Sequence, residues 1–159
     1  MSQIKIAFYY GSESIADKAI QLKTSNFSKD WRTVASHVEI SLDNNYFYSM
    51  DTQLPFTARK ILMGLSKSMW RTYEFEVSDK EHTEMKSLAE SLMGSGYDWS
   101  NIFFGDVLGV NIGSGSRYTC DEIVAAILQK CWVGYGLKEL NKLNPHSLEK
   151  YIKLVKPKG

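Results

Sequence analysis

The chain is poor in the features that build a disulfide-stapled or membrane-spanning protein. It has three prolines and only two cysteines among 159 residues. Two cysteines are too few for a disulfide framework. No stretch approaches the ~18 consecutive apolar residues that a membrane-spanning helix needs, so we expect no integral membrane segment. Lys and Arg number 19 against 18 Asp and Glu, and this near-balance argues against a nucleic-acid partner.

The two cysteines, Cys120 and Cys131, are expected to be unbridged. If one helix connects them, they lie ~16 Å apart at ~1.5 Å per residue, and a disulfide requires Cα atoms within about 7 Å. The opening MSQIKIAFYY has one charge and alternates, which is not typical of a signal peptide. We therefore expect Cys120 to be a free thiol in a cytoplasmic protein.

Alternating and helical patterns predict one α+β domain over residues 1–159, with a small antiparallel sheet packed against helices. Period-two alternation indicates strands at IKIAFY, SHVEISL, YFYSM and YEFEV, and the stretch Leu54–Met63 is ambiguous. Helices are predicted after Ser14, over residues 78–93 from a capping box of Ser78 and Glu81, from Cys120, and over about Ser147–Leu154.

Cys120 occupies a position that suits a nucleophile. Thr119 and Glu122 have capping-box spacing, which places Thr119 at the N-cap and Cys120 at the first helical position. The partial positive charge and free N–H groups of a helix N-terminus favour a thiolate and could hold an oxyanion. Asp121 and Glu122 act against the thiolate, so a histidine partner is required. Without one, Cys120 is simply a small core residue.

His37 is the histidine best placed to activate Cys120. His82 and His146 lie at helix starts, and a structural or surface role is expected for both. His37 begins a strand and shares one face of it with Glu39, because side chains alternate along a strand. A carboxylate there could orient the imidazole, as the third member of a triad does. The alternatives are a structural histidine and an outward-facing carboxylate.

Two other chemistries are weaker. His37, Glu39 and Cys120 could ligate zinc, but neither element has a further Cys or His at ligand spacing, so no metal is expected. The sequence GSGS at residues 113–116 precedes a helix and could bind phosphate. It lacks the Walker lysine and the dinucleotide pattern, so no cofactor is expected.

The order of SHVEISL, YDWSNI and YTCDEIVAAIL resembles the circularly permuted papain-like hydrolases. These are the permuted branch of the NlpC-type peptidases, with YiiX-like proteins and, more distantly, lecithin retinol acyltransferase. Small phage-encoded members are the most similar. The resemblance covers residues 4–152 and implies that histidine precedes cysteine, as His37 precedes Cys120 here.

The resemblance implies a thiol hydrolase or acyl transferase acting on an amide or ester of a peptide, a stem peptide or an acyl lipid. Its nucleophile corresponds to Cys120 and its base to His37. Glu39 is the first choice for the third residue, with Ser49 or Asp51 as alternatives, and Tyr9, Tyr10 and Thr119 could line the substrate site. The family commonly has Cys-Ser-Glu, whereas this chain has Asp121 after the cysteine. A catalytically silent phage protein that binds a host protein is the alternative function.

Overall fold

The computed structural model describes residues 1–11, 34–43, 46–50, 58–93, 120–137 and 144–155. Within these ranges the chain forms a five-stranded antiparallel sheet and three α-helices. The α+β class and the antiparallel sheet are therefore confirmed. The helix predicted after Ser14, the segment YDWSNI, Thr119 and Asp51 lie outside the described residues.

The second strand of the chain is the central strand of the sheet, and the first strand lies next to it. Its strands are β1 Ser2–Tyr9, β2 His37–Asp43, β3 Tyr46–Met50, β4 Ala58–Leu62 and β5 Trp70–Val77, in the spatial order β4-β3-β2-β1-β5. All four predicted strands are confirmed. The fifth, β4, comes from the ambiguous stretch Leu54–Met63 and pairs with β3 at the edge.

The two faces of the sheet differ in chemistry. Cross-strand pairing of Ile6 with Ile40 and of Phe8 with Val38 builds an apolar face, which joins the hydrophobic core. The opposite face, here called the polar face, carries the side chains of Lys5, Ala7, Tyr9, His37, Glu39 and Arg59. A polar strand face usually meets water, but His37 and Glu39 are only 5% and 1% exposed.

Three helices complete the described fold. They are α1 Asp79–Leu92, α2 Cys120–Leu128 and α3 Pro145–Val155. The predicted capping box of α1 is present, because Glu81 N donates to Ser78 Oγ and Ser78 N donates to Glu81 Oε2. The last helix begins two residues before the predicted Ser147, because Asn144 Oδ1 accepts from Ser147 N and Pro145 suits a first turn.

Helix α2 is the central helix of the core. Every residue of it except Glu122 is buried, and it packs against β2, β3 and the other two helices. A helix that is apolar on nearly all sides is expected at such a position. Its N-terminus carries Cys120, so burial of the helix fixes the position of this thiol. No helix within the described ranges has the length and apolar character required to cross a membrane.

Candidate active site

His37 is held at the first position of β2. Its backbone pairs with Tyr9 of β1, and the preceding Ser36 N donates to Tyr9 O at 2.8 Å. The Ser36 hydroxyl donates to Gly11 O at 2.8 Å. These bonds tie the approach to β2 to the end of β1 and fix the base of the His37 side chain.

Glu39 orients the imidazole of His37. The two residues are two positions apart on β2 and therefore share the polar face. His37 Nε2 donates to Glu39 Oε1 at 2.6 Å. Because this bond occupies Nε2, Nδ1 is the ring nitrogen left for another partner.

Arg59 of β4 binds the same carboxylate with both guanidinium nitrogens. Its Nη1 donates to Glu39 Oε2 at 2.7 Å, and its Nη2 donates to Glu39 Oε1. A bidentate arginine pair fixes a carboxylate more strictly than a single bond does. Burial raises the pKa of Glu39, but the bonds from His37 and Arg59 and their charges outweigh it and lower the pKa. The carboxylate is therefore charged at neutral pH.

Cys120 interacts with His37 at the N-terminus of α2. The helix begins at Cys120, as predicted, and the residue is 6% exposed. Burial of His37 lowers its pKa, whereas the charge of Cys120 and a side-chain hydrogen bond to it raise it, with further increases from the bond to Glu39 and its charge. The sum raises the pKa of His37 to about 10, so the ring is an imidazolium at neutral pH.

The structure thus brings together three of the residues singled out in the sequence and adds a fourth. Cys120, His37 and Glu39 form one chain of interactions, and Arg59 extends it. Arg59 gives no signal in the sequence, because it lies in the stretch Leu54–Met63, whose pattern is ambiguous. A single arginine near the start of an edge strand does not produce a periodic pattern. Arg59 comes to lie beside Glu39 because it pairs with Ser49 of the neighbouring strand.

The other predicted site residues lie in different surroundings. Ser49 Oγ donates to Val38 O at 2.7 Å, which commits its hydroxyl to the backbone. Tyr9 pairs with His37 across the ladder and packs against Trp70, with ring centroids 5.0 Å apart. Tyr9 therefore lies next to the candidate site on the polar face.

Tyr10 belongs to a second polar cluster, on α3 and the apolar side of the sheet. Its hydroxyl donates to Glu149 Oε2, Tyr73 OH donates to Glu149 Oε1 at 2.7 Å, and Arg71 lies over the Tyr10 ring. Burial and the Glu149 carboxylate raise the pKa of Tyr10 and of Tyr73. Glu149 is 1% exposed, so this cluster anchors α3 to the sheet.

The remaining cysteine and histidines have structural surroundings. Cys131 is fully buried and unbridged, as expected, and burial raises its pKa to about 11. His82, expected at the surface, is partly buried, and its Nε2 donates to Leu42 O at 2.7 Å. Burial lowers the pKa of His146. Among the described residues, no group of three or more His, Cys, Asp or Glu side chains could hold a metal ion.

Comparison of the chain with protein-family models, with curated proteins and with solved structures gives no significant match.

Proposed function

We propose that this protein is a cysteine hydrolase or acyl transferase with a permuted papain-like arrangement. The observation that supports this is the position of His37 between two partners, the Cys120 thiol and the Glu39 carboxylate. A nucleophile, a base and a group that orients the base are the parts that covalent acyl transfer requires. All three side chains are held by elements buried in the core.

In the proposed reaction the pair begins as a thiolate at Cys120 and an imidazolium at His37. The sulfur attacks the carbonyl carbon of an amide or ester, and the electron pair of the C=O bond moves to oxygen. The N-terminus of a helix carries partial positive charge on its backbone N–H groups, and the first turn of α2 is therefore suited to hold this oxyanion. Collapse of the intermediate breaks the bond to the amine or alcohol, which leaves with the proton from His37, and a thioester remains on Cys120.

The second half of the reaction releases the acyl group. His37, now neutral, takes a proton from water or from another acceptor, whose oxygen or nitrogen attacks the thioester. The bond to Cys120 breaks, and the thiolate and imidazolium are restored. Glu39 stabilises the charged ring in both halves, and Arg59 keeps that carboxylate in place. Peptides, stem peptides and acyl lipids all present suitable amides or esters.

Alkylation by iodoacetamide tests the activated pair, with Cys131 as an internal reference. At pH 7 we expect Cys120 to be labelled at least about 100-fold faster than Cys131, because only a thiolate is nucleophilic and Cys131 is buried with a raised pKa. The substitution His37→Gln should slow Cys120 labelling by at least about 10-fold. His146→Gln is the matched control and should leave the rate unchanged. Equal Cys120 rates in wild type and His37→Gln would overturn the proposal.

Turnover then separates an enzyme from a catalytically silent binding protein. Rapid labelling of Cys120 with release of p-nitrophenol from p-nitrophenyl acetate, lost in Cys120→Ser, supports the hydrolase. Intact-protein mass spectrometry shows whether this ester acylates Cys120. If Cys120 is labelled rapidly by iodoacetamide but no acetyl thioester forms, the result supports the silent alternative and contradicts the proposed enzyme.

A further inference from the structure

A cavity of about 280 Å³ opens on the polar face, and its lining residue Trp70 packs against Tyr9, the strand partner of His37. Lys5 of β1 and Trp70 and Thr72 of β5 form its floor. The segment 63–69, which connects the two edge strands β4 and β5, supplies Met63, Leu65 and Lys67 as its wall.

The strand register places this cavity in the same row as the proposed base. Tyr9 pairs with His37 on one side and with Trp70 on the other, so the three side chains follow one another across the polar face. Strands lie ~4.8 Å apart, which separates the Trp70 and His37 backbones by roughly 10 Å. The packed rings of Tyr9 and Trp70 bridge this interval.

The lining of the cavity combines apolar surface with positive charge. Met63, Leu65 and the Trp70 ring are apolar, and Lys5 and Lys67 are the charged residues of the lining. Lys5 Nζ lies 3.4 Å from Glu74 Oε1, so part of its charge is neutralised. Lys67 is exposed on the connecting segment and is therefore the main positive charge offered to a ligand.

We infer that this cavity binds the flanking group of the substrate, and that this group is apolar and ends in an anion such as a carboxylate. The inference rests on the proposed function of Cys120 and His37. An aromatic or aliphatic body fits against Trp70 and Leu65, while a terminal carboxylate reaches Lys67. The preferred substrate is then an amide or ester whose flanking group carries a carboxylate that reaches Lys67.

Two chloroacetamide probes of equal size test this preference. One is the chloroacetyl amide of 4-(aminomethyl)benzoic acid, and the other has a neutral carboxamide in place of the carboxylate. We expect the carboxylate probe to alkylate Cys120 about 10-fold faster, which corresponds to about 1.4 kcal/mol. The substitution Lys67→Gln should remove most of this preference. Lys80→Gln, an exposed lysine on α1, is the matched control and should retain it.

Two outcomes would overturn the inference while leaving the proposed function intact. One is an equal rate for both probes in the wild type. The other is a carboxylate preference that persists in Lys67→Gln, because the carboxylate would then not be held by Lys67. The rate at which iodoacetamide alkylates Cys120 in each variant distinguishes these two outcomes from a failure of the proposed function. If His37→Gln does not slow its reaction with Cys120, the proposed function fails and this inference fails with it.

Discussion

His37 and Cys120 are 83 positions apart in the chain (120 − 37) and interact in the folded protein, where the charge of Cys120 and a hydrogen bond to it raise the pKa of His37. The strand β2 and the helix α2 pack against each other through the core. The interaction therefore depends on the global fold and not on a local motif. The protonation state of the His37 ring can be measured directly.

Nitrogen-15 NMR of labelled histidine should show His37 as an imidazolium at pH 8. Its pKa is raised to about 10, whereas burial lowers the pKa of His146, so His146 should be neutral at this pH. In Cys120→Ser the His37 ring should titrate at clearly lower pH, because the charge of Cys120 and the hydrogen bond to it, which raise the pKa of His37, are lost. A neutral His37 at pH 8 in the wild type would contradict the charged pair.

The ion pair of Arg59 and Glu39 should contribute measurably to stability. Glu39 is 1% exposed and the Arg59 side chain 19% exposed, so removing the cation leaves a buried carboxylate with fewer partners. We expect Arg59→Met to lower the free energy of unfolding by about 3 kcal/mol, measured by urea denaturation. The double variant Arg59→Met with Glu39→Leu should recover part of this loss, because no buried charge is then left.

The neighbouring pair of Lys60 and Glu90 is the control. Glu90 is 45% exposed on its side chain, and surface pairs contribute no more than about 1 kcal/mol. Lys60→Met should therefore cost less than Arg59→Met on the same strand. If the two variants lose the same free energy of unfolding, the buried pair of Arg59 and Glu39 stabilises the fold no more than a surface pair does.

Much of the sheet and three of the four site residues could be predicted because they follow from local patterns. Alternation placed Val38 and Ile40 toward the core, and the same alternation put His37 and Glu39 on one face. A contact between residues two apart on a strand is thus visible in the sequence. The start of α2 at Cys120 was equally visible, since an apolar helix follows a polar run there.

Arg59 and Glu149 could not be predicted because their environments are set by residues far along the chain. ARKIL of β4 mixes cations with apolar residues on an edge strand, which gives no clear period. Glu149 is followed directly by Lys150 in the sequence, yet it is buried against Tyr10 and Tyr73. Lys153 of the same helix also lies 3.5 Å from Glu149, but Tyr10, Tyr73 and the Glu39 partner of Arg59 come from other elements, which composition does not reveal.

The lowered pKa of Glu39 predicts how stability depends on acid. A carboxyl group whose pKa is lower in the folded than in the unfolded chain stabilises the fold above its unfolded value, near 4.3, and this stabilisation is lost as pH falls through the folded value. The free energy of unfolding should therefore fall below about pH 4.3. In Glu39→Gln the free energy of unfolding, measured by urea denaturation at each pH, should decrease less steeply between pH 5 and pH 2. Parallel curves for the two proteins would contradict the lowered pKa.

The bond from Tyr73 to Glu149 should be the stronger of two tyrosine–carboxylate contacts. Tyr73 OH donates to a buried carboxylate at 2.7 Å, whereas Tyr135 OH donates to Glu81 Oε1 at 3.4 Å and Tyr135 is 68% exposed. Removing a donor from a buried charge leaves it less well solvated, so Tyr73→Phe should cost about 1.5 kcal/mol of unfolding free energy. Tyr135→Phe should cost less than about 0.5 kcal/mol, as surface changes usually do. If both variants unfold at the same urea concentration, Glu149 does not anchor α3 to the sheet.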